Sequence, residues 1–69
     1  MTTLTKIDGR EIRGAVFTQP NLAWSFADGA IPPQRVMLGD IIDDQPRWWV
    51  VTPADAARLE RAGYEYAPR

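Results

Sequence analysis

The chain has 69 residues, no Cys and no His, and eight Lys plus Arg against nine Asp plus Glu, for a formal net charge of -1. Without Cys there are no disulfides, thiolate nucleophiles or thiolate metal sites, and without His the commonest general base and transition-metal ligand are missing. The length fits one small domain, 1–69, and a hydrophobic content of 45% is that of a globular chain rather than a disordered one.

Residues 3–7 are rich in β-formers and are followed by Asp8-Gly9 and a second β-rich run to Thr18. Asp-Gly between two such runs is a strong hairpin signal, because a two-residue type I′ turn needs positive φ at both central positions. That turn sets the register: Ile7 opposite Arg10, Lys6 opposite Glu11, Thr5 opposite Ile12. Ile7, Ile12 and Val16 then share the core face, with Arg10 at its rim, where its stem covers apolar surface.

Gln19-Pro20-Asn21 reads as a turn. Leu22, Trp24 and Phe26 alternate with smaller residues and suit a short strand with one heavy apolar face. Asp28-Gly29 ends it, and residues 31–34, with Pro32 and Pro33, form a stiff extended connection. Residues 35–42 make a further strand block, Asp43-Asp44-Gln45-Pro46 a polar loop, and residues 47–52 the strand of best composition. The last two runs are expected to pair as a hairpin with a loop of about four or five residues.

A helix is expected over 53–62. Thr52 can cap it, Pro53 suits its first position, Asp55 stands three residues after the cap, and Gly63 stops it. Ala56, Leu59 and Ala62 lie on one side, so the helix must pack closely on something flat. Residues 64–67 read as a short final edge strand, with Pro68-Arg69 as a tail. The fold class is therefore α+β: a small antiparallel sheet or half-open barrel of about five strands with one helix packed on it. A helix-turn-helix is excluded by this count of helices. The stretch from Trp48 to Glu65, a strand, a capped helix and a glycine stop, is similar to many small bacterial and bacteriophage accessory domains. That likeness concerns architecture and implies no activity.

Trp48 and Trp49 are adjacent on a strand and so point to opposite faces. If one short helix covers only one face, an aromatic and apolar patch remains, with Trp24 or Phe26 as a further contributor. Such patches mark interaction sites. Asp40, Asp43 and Asp44 lack calcium-loop spacing and read as a solvated acidic hairpin loop, able to dock on a basic partner. Arg10, Arg13, Arg35, Arg47, Arg58 and Arg61 would suit a nucleic-acid platform only if they clustered beside a Trp, and the slightly acidic domain charge argues against it. The five glycines match no phosphate-binding fingerprint. Ser25 and Lys6, the only serine and lysine, show no catalytic spacing, and no carboxylate pair is placed in a cleft by sequence.

The reading is a non-enzymatic protein–protein interaction module, of bacterial or bacteriophage accessory or inhibitor type. It would dock an aromatic or apolar sheet face, or the acidic loop, on a larger partner or a second copy. The expected partner-binding residues are Trp48, Trp49, Trp24, Arg47, Asp43 and Asp44. No catalytic, cofactor or metal residues are expected. The alternative is a small β-barrel that binds single-stranded nucleic acid, which the net charge disfavours. With no apolar run of membrane-spanning length and no signal-peptide pattern at the N-terminus, a cytoplasmic setting and no membrane association are expected.

Overall fold

The computed structural model describes residues 1–68. Four strands and two helices follow in the order β1 (Thr2–Ile7), β2 (Arg10–Phe17), α1 (Pro20–Gly29), β3 (Arg35–Leu38), β4 (Trp48–Val51) and α2 (Pro53–Arg61). The strands form one open antiparallel sheet in the order β1-β2-β4-β3. The α+β class is as the sequence implies, but the sheet is open rather than barrel-like, and it carries a second helix.

The first hairpin has the register its turn dictates, with Ile7, Lys6 and Thr5 opposite Arg10, Glu11 and Ile12. Asp8 and Gly9 both adopt positive φ, at 52° and 78°. The ladder slips between Thr3 and Thr5, and the bulged segment lets Leu4 pack against the same core as Ile12. β2 then changes partners. Its first half pairs with β1, while Ala15, Val16 and Phe17 pair with Val50, Trp49 and Trp48 of β4. Gly14 stands at the changeover, where an added Cβ would run into the Val50 carbonyl oxygen. A side chain there would separate the two strands.

β4 lies at the centre, and both of its faces are covered. On one face Trp49 and Val51 join Ile12 and Met37 beneath Ala56 and Leu59 of α2. On the other, Val50 and Val36 meet Ala23 and Ala27 of α1, with Ala67 at the side. Helix α2 begins as its residues require: the Thr52 hydroxyl accepts from the Asp55 amide at 3.2 Å, and Pro53 occupies the first turn. The C-terminal end is closed by the amides of Ala62, Gly63 and Tyr64, which donate to the carbonyls of Arg58, Leu59 and Glu60.

Three sequence expectations are corrected. Residues 22–27 are helical, because the residues that bury are Ala23 and Ala27, four apart, and the large Leu22, Trp24 and Phe26 splay to the flanks. Alternation of the bulky residues resembled a strand, whereas the small face sets the packing. The strand block at 35–42 ends at Leu38, and the connection to β4 runs over residues 39–47. Within it Ile42 and Gln45 exchange both backbone hydrogen bonds, at 3.0 and 2.9 Å, around Asp43-Asp44, whose φ values are 53° and 61°. This is a second two-residue turn with positive φ at both centres, built without glycine. Third, the expected final strand is reduced to one bridge, Tyr66 opposite Met37. Two backbone bonds flank it, Leu38 N–H to the Glu65 carbonyl at 2.9 Å and Ala67 N–H to the Val36 carbonyl at 3.0 Å. The segment lies along the outer edge of β3. Arg69, expected as part of a tail, lies outside the described residues.

Trp49 fixes the join between the sheet and the last segment. Its indole covers Gly39, where an added Cβ would clash with the ring atoms, and its centroid is 5.2 Å from that of Tyr64. The Tyr64 hydroxyl donates to Asp40 Oδ1 at 3.0 Å. Burial first, and the bond and charge of Asp40 next, hold the Tyr64 pKa above its ordinary value, against an opposing hydrogen bond with Thr5.

Two outcomes are expected from this arrangement. Gly39→Ala overpacks the Trp49 site and lowers stability by roughly 1–3 kcal/mol, read as a lower urea midpoint with an unchanged m-value. Tyr64 ionises in the unfolded chain near its usual pKa of about 10, and only at higher pH in the folded one. Its contribution is therefore complete below about pH 10 and is lost as the pH rises through the folded pKa. Urea melts at about pH 8 and about pH 11 should show a larger loss for the wild type than for Tyr64→Phe.

Candidate functional site

Trp49 is 3% exposed and belongs to the core under α2. Trp48, on the opposite face, is half-buried beside α1, and Trp24 flanks the same cluster from the helix. The three tryptophans therefore make no common patch. The premise that one helix leaves a sheet face bare does not hold, since α1 covers the face that would have been open.

The other three expected residues do come together, in the 39–47 connection. Asp43 and Asp44 form its tip and are exposed. Arg47 folds back at its base, donating from Nη1 to the carbonyls of Pro46 at 3.1 Å and Gln45 at 3.3 Å. Gly39 N–H donates to the Arg47 carbonyl at 2.9 Å, so the connection leaves the sheet as a hairpin in its own right. Asp40 is held by Tyr64. Among the described residues no three carboxylates converge in a way that would hold a metal ion.

The sequence reading passed over the most informative residues of this hairpin, Ile41 and Ile42. They are 72% and 50% exposed, between Asp40 on one side and Asp43 and Asp44 on the other. Two adjacent β-branched apolar residues inside a run of carboxylates were the available signal; a solvated loop has no need of them. Leu22 was also missed, whereas Phe26 counts toward the expected aromatic patch. They are four apart on α1, both about half exposed, and Phe26 lies 5.5 Å from Phe17 between ring centroids. Both α1 and the 39–47 hairpin start from the same end of the sheet, where Phe17, Trp48 and Leu38 lie in register.

The basic residues are split. Arg13 donates to the Met1 carbonyl at 2.8 Å, and Arg58 pairs with Asp55 at 2.7 Å. Arg10, Arg58 and Arg61 surround one cleft, and no Trp lines it. Among the described residues no helix is long and apolar enough to cross a membrane. Comparisons with protein-family profiles, with curated proteins and with solved structures give no match.

The two adjacent tryptophans should behave differently on truncation. Trp49→Ala removes a buried ring and costs about 3–5 kcal/mol, comparable with the whole stability of a domain this small, so the variant is largely unfolded. Trp48→Ala, at a half-buried site, costs less and keeps a cooperative urea transition. Equal losses at the two positions would contradict the assignment.

Proposed function

We propose that the protein is a non-enzymatic protein–protein interaction module that docks through the tip of the 39–47 hairpin. The observation that carries this is the exposure of Ile41 and Ile42 on a turn whose backbone is closed by two hydrogen bonds. Most apolar residues of the sheet find cover on one face or the other; Val16, expected on the core face with Ile7 and Ile12, is instead 42% exposed at the margin of β2. Ile41 and Ile42 are held out in water by a defined scaffold, and a preorganised apolar tip forfeits little ordering entropy when it enters a partner's pocket. Asp40, Asp43 and Asp44 surround the pair with negative charge, so the complementary surface is an apolar recess with a basic rim. Leu22 and Phe26, rising from the same end of the sheet, extend the contact area.

The nucleic-acid alternative receives less support. It needs an exposed aromatic platform beside a basic stripe, whereas Trp49 is enclosed and no Trp lines the arginine cleft. An accessory or inhibitor role in a bacterial or bacteriophage cytoplasm is the setting we propose, on the likeness of the strand, capped helix and glycine stop over residues 48–65 to small accessory domains.

The test is a tagged capture from source lysate near physiological salt, with nuclease, comparing the wild type with an Ile41→Ser/Ile42→Ser double variant. The double variant should fold with a stability change of no more than about 0.5 kcal/mol, since both sites are exposed. A stoichiometric protein captured by the wild type and lost by the variant supports the reading. A protein held equally by both, or nucleic acid recovered without nuclease and nothing with it, overturns it.

A further inference from the structure

At the opposite end of β2 from the hairpin tip, a cleft of about 330 Å³ opens between the β1–β2 turn and the C-terminal end of α2. It is lined by Ile7, Asp8, Arg10, Arg58, Arg61 and Ala62. We propose that this cleft binds the phosphate group of a small phosphorylated molecule.

Positive charge is concentrated at this cleft. A chain of net charge -1 brings three of its seven arginines to one opening, from two elements far apart in sequence. Arg10 is placed by the register of the first hairpin, and Arg58 and Arg61 by the last turns of α2.

These guanidinium groups also have spare hydrogen-bonding capacity. Arg13 and Arg47 spend theirs on backbone carbonyls. Among the described residues Arg10 and Arg61 make no hydrogen bond or ion pair, and Arg58 gives one nitrogen to Asp55. The ordinary duty of an arginine in a last helical turn is to bond the orphan carbonyls there. In α2 the carbonyls of Arg58, Leu59 and Glu60 are already taken by the amides of Ala62, Gly63 and Tyr64, so that duty is filled by backbone.

A planar fork of N–H donors matches phosphate oxygens, and a phosphomonoester offers up to two charges and three acceptor oxygens to three such forks. A carboxylate would satisfy one fork and leave the others unmatched. Asp8 on the wall repels an anion at that side and suits a hydroxyl donor, while Ile7 and Ala62 supply an apolar stretch. The ligand is thus a phosphate with a short, hydroxylated or aliphatic remainder. A cleft of this size is at the small end of ligand sites. No aromatic side chain lines it, so a nucleic-acid strand would gain no base stacking there.

The test uses the full chain, with its amide and arginine Nε resonances followed by NMR at constant ionic strength. The probes are inorganic phosphate, glycerol phosphate and an oligothymidylate without terminal phosphates. Saturable shifts at Ile7, Asp8, Arg10, Arg61 and Ala62 are expected with both phosphates. Arg10→Gln and Arg61→Gln should each weaken binding about tenfold, and Arg35→Gln, on β3, should leave it unchanged. The Ile41→Ser/Ile42→Ser variant should also bind as the wild type does, so the cleft and the hairpin tip stand or fall separately. Shifts that do not saturate, or that spread equally over Arg13, Arg35 and Arg47, overturn the proposal. Tighter binding of the oligothymidylate at the same residues overturns it in favour of a nucleic-acid strand.

Discussion

Everything in this small fold follows from a four-residue strand that is apolar on both sides. Trp48 and Val50 face one way, Trp49 and Val51 the other, and neither pair can be left in water without forfeiting the burial that holds a domain of this size together. One helix cannot satisfy both. The chain answers with two, of different kinds: α1 brings alanines, which let it sit close above Val36 and Val50, and α2 brings Leu59 and Ala56 to Met37 and Trp49. Gly14 and Gly39 belong to the same arrangement. Each lacks a side chain where β4 or its tryptophan must pass.

With both faces of β4 closed, the apolar residues that stay exposed lie off the central strand, and among them Ile41 and Ile42 are adjacent on one hairpin. The interaction reading thereby moves from the tryptophans, which belong wholly or in part to the core, to a hairpin tip that the core does not need. The charged side chains sort in the same way. Asp40, Asp43 and Asp44 gather on the 39–47 hairpin, and Arg10, Arg58 and Arg61 meet at the cleft beyond the other end of β2, with Asp8 among them, although the chain as a whole is close to neutral.

Local rules with a firm geometric basis were legible in the sequence. Asp8-Gly9 predicted the turn and, through it, the register of the first hairpin residue by residue. Thr52, Pro53, Asp55 and Gly63 bracketed the second helix within a residue. What escaped was packing by small residues. Leu22, Trp24 and Phe26 dominated the reading of their segment, but the sheet selects Ala23 and Ala27, whose contribution is closeness rather than bulk. The Asp43-Asp44 turn escaped because positive φ was looked for at glycine, and aspartate tolerates the same region. Of the six residues expected at a partner surface, three lie together at the 39–47 hairpin and one is core. The arginine cleft was half visible: Arg10 was placed at the rim of the core face, but the helix that brings Arg58 and Arg61 to it could not be docked from sequence alone.

The backbone bonds from residues 65–67 to β3 have a consequence for how the molecule meets other chains. They occupy groups that β3 would otherwise offer to a neighbour, so of the two outermost strands it is β1 that stays uncovered. β1 is poorly suited to recruit a further strand. Its ladder is broken by the slip at Leu4, and Lys6 places a charge along it. The sheet is thus guarded by different means at its two sides, by a strap at one and by irregularity and charge at the other. Growth of the sheet into a cross-molecular ladder is thereby disfavoured in both directions.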